Sequence, residues 1–405
     1  MVLNNKKGKN LEDIQLMNRA LVLSLLRKKK AISRADLAKA TGLKQATITN
    51  IIKDLLSCGL VTETGIIEGK KGRRSIGLTL NIDKYRVVSV RLARKYFTVG
   101  LFDITGNQYE LITENIEILS GPRYALNRMC QRISDIMEKG GNSNVLGIGV
   151  AIPGPFFRSD GKIGVITEFP GWENISIKEE LTTKFGLPTF VEHDANVGAL
   201  AEWWLGSSFM DSGTMVYVAA GQGIGAGIVN DGKLFTGAMG VAGEIGHMSI
   251  YLDGPKCECG NRGCLEHYCS TIALTKGIQK ELEKYPQSIL NQDCTLSQII
   301  EALESGDELA KKVFEKTARY LGMGLVNIVY TYNPHVIIIG DELAQVGQWI
   351  VDIIHDTIKD RILPSIFENL TIRLSSFETD PVLIGAGSLV FDNIGSILPL
   401  CTSYE

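Results

Sequence analysis

"EIGHMSIYLDGPKCECGNRGCLEHYCS", residues 244–270, gathers two histidines and four cysteines into one short stretch. His247 is followed ten positions later by Cys257, then by Cys259 and Cys264. One imidazole and three thiolates make a Cys3His set of the kind that holds tetrahedral zinc. Gly260 and Gly263, inside "CGNRGC", permit the tight turns that fold three sulfurs around one ion. Four protein ligands close the coordination sphere and leave no position for a reacting water. The expectation is therefore one structural Zn2+ per chain, a scaffold and not a catalyst. Unligated thiols in a loop and a disulfide pair are the alternatives. His267 and Cys269 are surplus to the set.

Around this cluster lies a chain of 405 residues, enough for two or three cores. Its 44% apolar and 21% charged residues are those of a globular protein. The net charge of −3 announces neither nucleic acid nor membrane, but it hides an asymmetry. "NNKKGKN", "RKKK" and "GKKGRR" all fall in the first 75 residues, so a small basic domain precedes a larger acidic one. No apolar run approaches the length of a membrane span, and the N-terminus is too polar for a signal peptide. Cys58, Cys130, Cys294 and Cys401 are scattered, unlike a secreted disulfide framework, which points to a reducing, cytoplasmic compartment.

Within the basic part, "LMNRALVLSLLRKKK" carries an apolar stripe at helical spacing, Leu16, Ala20, Leu23 and Leu26. Ser33 is a good N-cap for a short helix with Leu37 and Ala38 inward, and Gly42 supplies a turn. A second helix is expected from about Lys44 to Ser57, with Ile48, Ile51, Ile52 and Leu55 inward. That is a helix-turn-helix spacing. Lys44, Gln45, Thr47, Thr49 and Asn50 point outward and are types that reach base edges and phosphates in a major groove. Ser33 and Arg34, at the start of the first helix of the pair, join them as candidate DNA contacts. A helical hairpin with a merely solvated face is the alternative. "LVTETGIIEGKKGRRSIGLTLN" then reads as strand, basic turn and strand, a wing whose Arg73 and Arg74 suit a narrow minor groove.

From Tyr85 onward strands and helices mix. "YRVVSVRLARKYFTVGLFDITGN" reads as two strands and a turn, "NVLGIGVAIPGP" as a buried strand entering a loop. "LPTFVEHDANVGALAEWWLG" is strand, polar turn and helix, and "TMVYVAAGQGIGAGIVNDGKL" a strand pair about a glycine-rich bend. This is an α/β pattern. Tandem similar halves, about 85–195 and 196–390, are expected, without a clear repeat in sequence. Lys256–Cys264 reads as a compact loop.

"PGP", "FPGWEN", "EHDANVGALAE", "GVAGEIGH" and "CECGNRGCLE" follow one another in that order. Together they resemble the ROK family of sugar kinases and sugar-responsive repressors, from about Val87 to Val390. The attached winged helix-turn-helix resembles the repressor branch. The resemblance implies an actin-like, hexokinase-like fold with a monosaccharide held between two lobes. By motif position Asn174, His193, Asp194, Glu244, His247 and Glu266 would line that site. Carboxylates and amides suit vicinal hydroxyls, since each can make two hydrogen bonds. Zinc on His247 and Cys264 would brace Glu244 and Glu266. His193 stands where kinases of the family commonly carry Asn. Outside the family resemblance, Asp194 could be a helix N-cap and Glu244 a surface carboxylate.

The resemblance also separates kinase from repressor. The kinases have a phosphate-binding "DxGGT" turn, and here that turn reads Arg91-Leu92-Ala93-Arg94-Lys95. Its carboxylate, both glycines and the threonine are gone, so phosphate is cradled less easily and Mg2+ has no organiser, although the cations Arg91, Arg94 and Lys95 could still bind an anion. The downstream "FDITG", Asp103 to Gly106, remains, and "GQGIGAG" is either a weak phosphate signal or a tight hairpin. The expectation is no enzyme. It is a repressor of carbohydrate uptake or catabolism genes, released from operator double-stranded DNA by a monosaccharide effector. A sugar kinase with an appended DNA-binding domain, or a repressor sequestered by a sugar-transporter protein, are the alternatives. Operator symmetry implies a homodimer or a dimer of dimers. The expected limits are 1–82 for the DNA-binding domain and 83–405 for the sugar-binding and oligomerisation domain, with lobes of about 83–195 and 196–405. Xylose, glucose and N-acetylglucosamine are not distinguished by these residues.

Overall fold

A computed structural model describes residues 11–29, 31–68, 74–116, 120–140, 144–158, 161–164, 170–206, 212–394 and 397. Its N-terminal unit is three helices and a small sheet. Helix Leu11–Lys28 turns Val22, Leu23 and Leu26 inward. Helix Arg34–Thr41 begins at Ser33, whose hydroxyl accepts from the Asp36 N–H at 3.1 Å. It ends at Gly42, φ +72°, a left-handed conformation that closes a helix readily only at glycine. Helix Gln45–Ser57 follows, one residue later than expected, because Lys44 is extended and caps with its backbone alone. Strands Val61–Glu68 and Arg74–Leu80 pair antiparallel as a wing, and Ile32–Ser33 pairs on the outer side of the second.

Two five-stranded sheets make up the rest. In the first, Tyr85–Leu92, Tyr96–Asp103 and Gln108–Asn115 form an antiparallel meander, and Asn144–Ile152 and Thr189–His193 add in parallel on the other side of Tyr85–Leu92. In the second, Thr214–Ala220, Ile224–Asn230 and Lys233–Leu234 form the meander, and Val336–Gly340 and Thr371–Leu374 add in parallel. Numbered along the chain within each sheet, both have the spatial order 3-2-1-4-5. The tandem halves are thus plain in topology although no sequence repeat announces them. Topology depends on which strands pair, and many apolar sequences satisfy the same pairing.

The helices respect the expected limits less well. Helix Pro381–Asp392 lies late in the chain, yet it packs on Asn144–Ile152 and Tyr85–Leu92 of the first sheet and on helix Asp194–Leu205. Nor does the N-terminal unit have a core of its own. Leu23, Ile52 and Leu55 share one apolar cluster with Tyr85, Phe102, Leu383, Phe391 and Ile397. The Tyr85 hydroxyl and the Lys84 ammonium both donate to the Cys58 carbonyl, at 2.7 and 3.0 Å, just past the second helix of the pair. A boundary at 82/83 therefore divides the chain where the packing is continuous.

Candidate functional site

The strand ends of both lobes meet at a cleft of about 570 Å³, open solvent at its mouth included. The ends of parallel strands are where α/β sheets leave such crevices. His193 closes strand Thr189–His193, and Asp194 opens the helix that follows. Asp341 and Glu342 follow strand Val336–Gly340 directly. Glu244 precedes and His247 ends a single 3-10 turn, and Glu266 starts a short helix after the cysteine loop. All of these line the cleft, together with Pro153 and Gly154. Gly154 sits against the Glu244 carboxylate and the His193 imidazole, so a side chain there would displace both.

At one end of the cleft hydrogen-bonding capacity is left over. His193 Nε2 is 3.1 Å from Asp194 Oδ1 and 4.0 Å from Glu244 Oε1. Burial works against the imidazolium, but Asp194 and Glu244 outweigh it and raise His193 to about 9. Burial likewise opposes the Asp194 charge, and His193 with Arg91 holds this carboxylate below its ordinary value. Glu244 is pushed up by burial, against the pull of His193 and His247. A histidine between two carboxylates leaves oxygens free to accept from sugar hydroxyls.

The other end is closed by the chain itself. Arg91 reaches across to Asp341 at 2.7 Å and to Asp380 at 2.6 Å, with its side chain 8% exposed. Burial opposes its charge, and the two carboxylates more than restore it. Burial is also the largest influence on Asp341, pushing it up to about 6 even beside Arg91, because two acids share one cation. Arg94 donates to both Glu266 oxygens at 3.4 Å and to the Gln222 carbonyl at 3.3 Å. Glu266 accepts from the Ile224 N–H as well, at 3.1 Å. Arg91 and Arg94 thus hold carboxylates of this chain, and Lys95 alone of the three neighbouring cations is exposed. Asp341, Glu342 and Asp380 lie outside the anticipated set, although "GDEL" directly after the apolar "VIII" is a readable signal.

Asn174 lies apart from the other anticipated sugar contacts. It is exposed and turned toward Glu173, because the 3-10 turn Trp172–Asn174 sends Trp172 into the core and the amide outward.

Behind the cleft the anticipated cluster is assembled. His247, Cys257, Cys259 and Cys264 each offer a ligand atom within 4.8 Å of the others. Cys257 Sγ is 3.7 Å from His247 Nδ1, and Cys259 Sγ is 3.7 Å from Cys264 Sγ. A tetrahedron with metal–sulfur bonds of about 2.3 Å has edges of about 3.8 Å, so the donors fit a bound ion. Burial and the neighbouring thiols push Cys257 and Cys264 up, which leaves them poor thiolates unless a cation lies among them. The loop is pinned by bridges Ser249–Cys264 and Lys256–Arg262. Among the described residues this cluster can hold a metal ion, and its histidine also borders the cleft.

On the N-terminal unit, Lys44, Gln45, Thr49 and Asn50 are exposed along one side of helix Gln45–Ser57, with Thr47 half-buried. Arg74 is exposed at the start of the second wing strand, and Arg73 lies outside the described residues. Arg34 is tied to Glu63 of the wing at 3.0 Å. Ser33 is 3% exposed with its hydroxyl engaged to Asp36, so its place is that of a cap inside the fold.

A two-lobed actin-like, hexokinase-like domain behind a winged helix-turn-helix is the class that this architecture defines. Residues 87–393 match the ROK family, and the chain belongs to it. Residues 19–62 match a winged helix-turn-helix DNA-binding domain. The chain is 31% identical over 391 residues to the xylose repressor of Caldicellulosiruptor bescii, covering 94% of this chain and 97% of that one. It is 30% identical over 387 residues to the DNA-binding transcriptional dual regulator NagC of Escherichia coli, covering 94% of each. The crystal structure of a ROK family transcriptional regulator, a homologue of the E. coli MLC protein, superposes with a TM-score of 0.80. That match has 28% identity and covers 96% of this chain and 98% of that one.

Proposed function

We propose that this protein is a sugar-responsive DNA-binding repressor of carbohydrate uptake or catabolism genes. The observation that carries the reading is the divided cleft. Its His193–Asp194–Glu244 end is open to hydroxyl groups, while the end where the kinases of the family would cradle phosphate is filled by Arg91 and Arg94 on internal carboxylates. The relatives named above as repressors support the same reading. The proposed sugar contacts are His193, Asp194, Glu244 and His247, with Glu266, which Arg94 and the Ile224 N–H already hold, at the edge of that set. Asp194 stays ionised and could take a proton from a hydroxyl, but without a phosphate cradle no transfer follows, and the protein is not an enzyme.

The proposed DNA contacts are Lys44, Gln45, Thr47, Thr49 and Asn50 in the major groove, with Arg34, Arg73 and Arg74 on the backbone or in the minor groove. Two copies of the chain would present two such helices to a symmetric operator. The metal is proposed to be zinc, one per chain. It would fix the loop carrying His247 and Glu266 and take no part in chemistry. Among the described residues no helix is long and apolar enough to cross a membrane, and the compartment proposed is the cytoplasm, where operators are found.

Thermal-shift measurements over a monosaccharide panel, paired with an ATP-coupled phosphorylation assay, test the reading. At least one sugar should stabilise the protein and none should be phosphorylated. Turnover of any sugar would make the protein a kinase. Absence of binding to every sugar would move control to a protein partner. Metal analysis of purified protein should give about one zinc per chain.

A further inference from the structure

The DNA-binding unit and the cleft are linked by elements that begin at one and end at the other. Helix Pro381–Asp392 starts at Asp380, which accepts from the Val382 N–H at 2.9 Å and pairs with Arg91 at the cleft. Every residue from Pro381 to Phe391 is buried, and 12 residues span about 18 Å. The far end of this rod receives Arg27, from the last turn of helix Leu11–Lys28. Arg27 Nη2 donates to Ser388 Oγ at 2.7 Å, and its guanidinium carbon lies 4.6 Å from the centre of the Phe391 ring. Nη1 is 3.9 Å from Asp392 Oδ1. Beside it, the Lys28 ammonium stands 4.6 Å over Trp204, near the end of helix Asp194–Leu205, whose first residue is the cleft's own Asp194. The two rods touch so closely, Gly385 on the Val197 backbone, that a side chain at Gly385 would force them apart.

The Arg27 joint is under-satisfied. The side chain is 3% exposed, yet its Nε and Nη1 make no hydrogen bond among the described residues. Burial lowers its pKa against the pull of Asp392 and Asp103. Buried guanidinium groups are stable when their donors are paired, and this one has a single hydrogen bond among the described residues. The unpaired nitrogens lower the advantage of the docked arrangement over one in which Arg27 has turned away, which favours a switch at this joint.

We propose that Arg27 is the coupling residue between cleft and DNA-binding unit. Movement of helices Asp194–Leu205 and Pro381–Asp392 on cleft filling withdraws Ser388 Oγ from Arg27 and frees helix Leu11–Lys28 to reorient. This rests on the sugar-responsive reading above, and it names where the response is transmitted.

The test uses the full-length protein, a duplex selected from a random pool by the wild type, and D-xylose, D-glucose and N-acetylglucosamine as probes. In wild type, one probe should lower duplex affinity by about tenfold or more. Arg27→Met keeps an apolar side chain docked against Phe391 but leaves no hydrogen bond for the cleft helices to withdraw, so sugar-free duplex affinity and sugar affinity should stay within about threefold while the sugar-induced change falls below about threefold. Ser388→Ala, a small change that spares the fold, should weaken the response in the same direction. A full wild-type response in both variants overturns the proposal. A wild type that answers to none of the three probes overturns the sugar reading instead. The joint is then judged by hydrogen exchange at amides 20–28. Asp380→Asn should speed exchange there, and should add nothing when Arg27→Met is already present. Exchange unaffected by Asp380→Asn in the otherwise wild-type chain overturns the joint as well.

Discussion

The two ends of the cleft are built from the same residue types and do opposite things. At the His193 end one cation is shared among Asp194 and Glu244, and carboxylate oxygens remain free to accept. At the Arg91 end the guanidinium is matched to two carboxylates on different elements, and Arg94 is matched to Glu266. A charged cleft binds a ligand only where its own charges are not already satisfied. The count of charges says nothing; their pairing decides. On the proposed reading one end receives hydroxyls, and the other is a clamp between lobes.

The clamp should show the largest effect. Arg91→Met leaves Asp341 and the partly exposed Asp380 facing each other without a cation, and denaturant unfolding should report a loss toward the lower end of about 3–5 kcal/mol. A loss under about 1 kcal/mol would mean that the ion pairs are solvated and the clamp is not one.

The receptor end should show itself in pH. His193 is raised from 6.5 to about 9, so the stability that its charge contributes is complete below about pH 6.5 and is lost as pH rises through about 9. Asp194 is lowered, so its contribution is present above its ordinary value of 3.8 and is lost as pH falls further. Unfolding measured between about pH 6.5 and 10 should therefore show roughly 1–3 kcal/mol lost in wild type beyond that lost in His193→Asn. Parallel profiles for the two proteins would remove the imidazolium from the account.

Much of this is legible in the chain. Ser33 and Gly42 mark helix ends by hydrogen bonding and by left-handed backbone, local properties that a sequence carries directly. The candidate metal ligands are legible for the same reason, since Cys257, Cys259 and Cys264 share one short loop. What escapes is what depends on long-range pairing. Arg91 looks like a free cation in sequence because its partners are 250 and 289 residues away. That Leu23 and Phe391 share one apolar cluster escapes too, because hydrophobic periodicity does not say which face meets which. Motif position suggests Asn174 as a sugar contact, and the exposure of its amide beside Glu173 is set by a 3-10 turn that no motif announces.

Smaller effects sharpen the contrast. Asp194→Asn keeps the shape and the N-terminal helix position but removes an acceptor charge, which should cost roughly 1–3 kcal/mol of sugar affinity by titration calorimetry while leaving the Arg91 pairs in place. Lys95→Ala, exposed beside the clamp, should change stability by less than about 0.5 kcal/mol and leave sugar affinity alone. A large effect at Lys95 would mean that the Arg91 end still receives an anion.

The central claim is that filling the His193 end weakens DNA binding. Operator affinity titrated against a monosaccharide panel, for wild type and Asp194→Asn side by side, measures it directly. The account predicts that one sugar lowers wild-type affinity by about 5- to 150-fold, a coupling of about 1–3 kcal/mol, and that Asp194→Asn needs a correspondingly higher sugar concentration for the same release. A wild type that binds the sugar and holds its operator unchanged would contradict it.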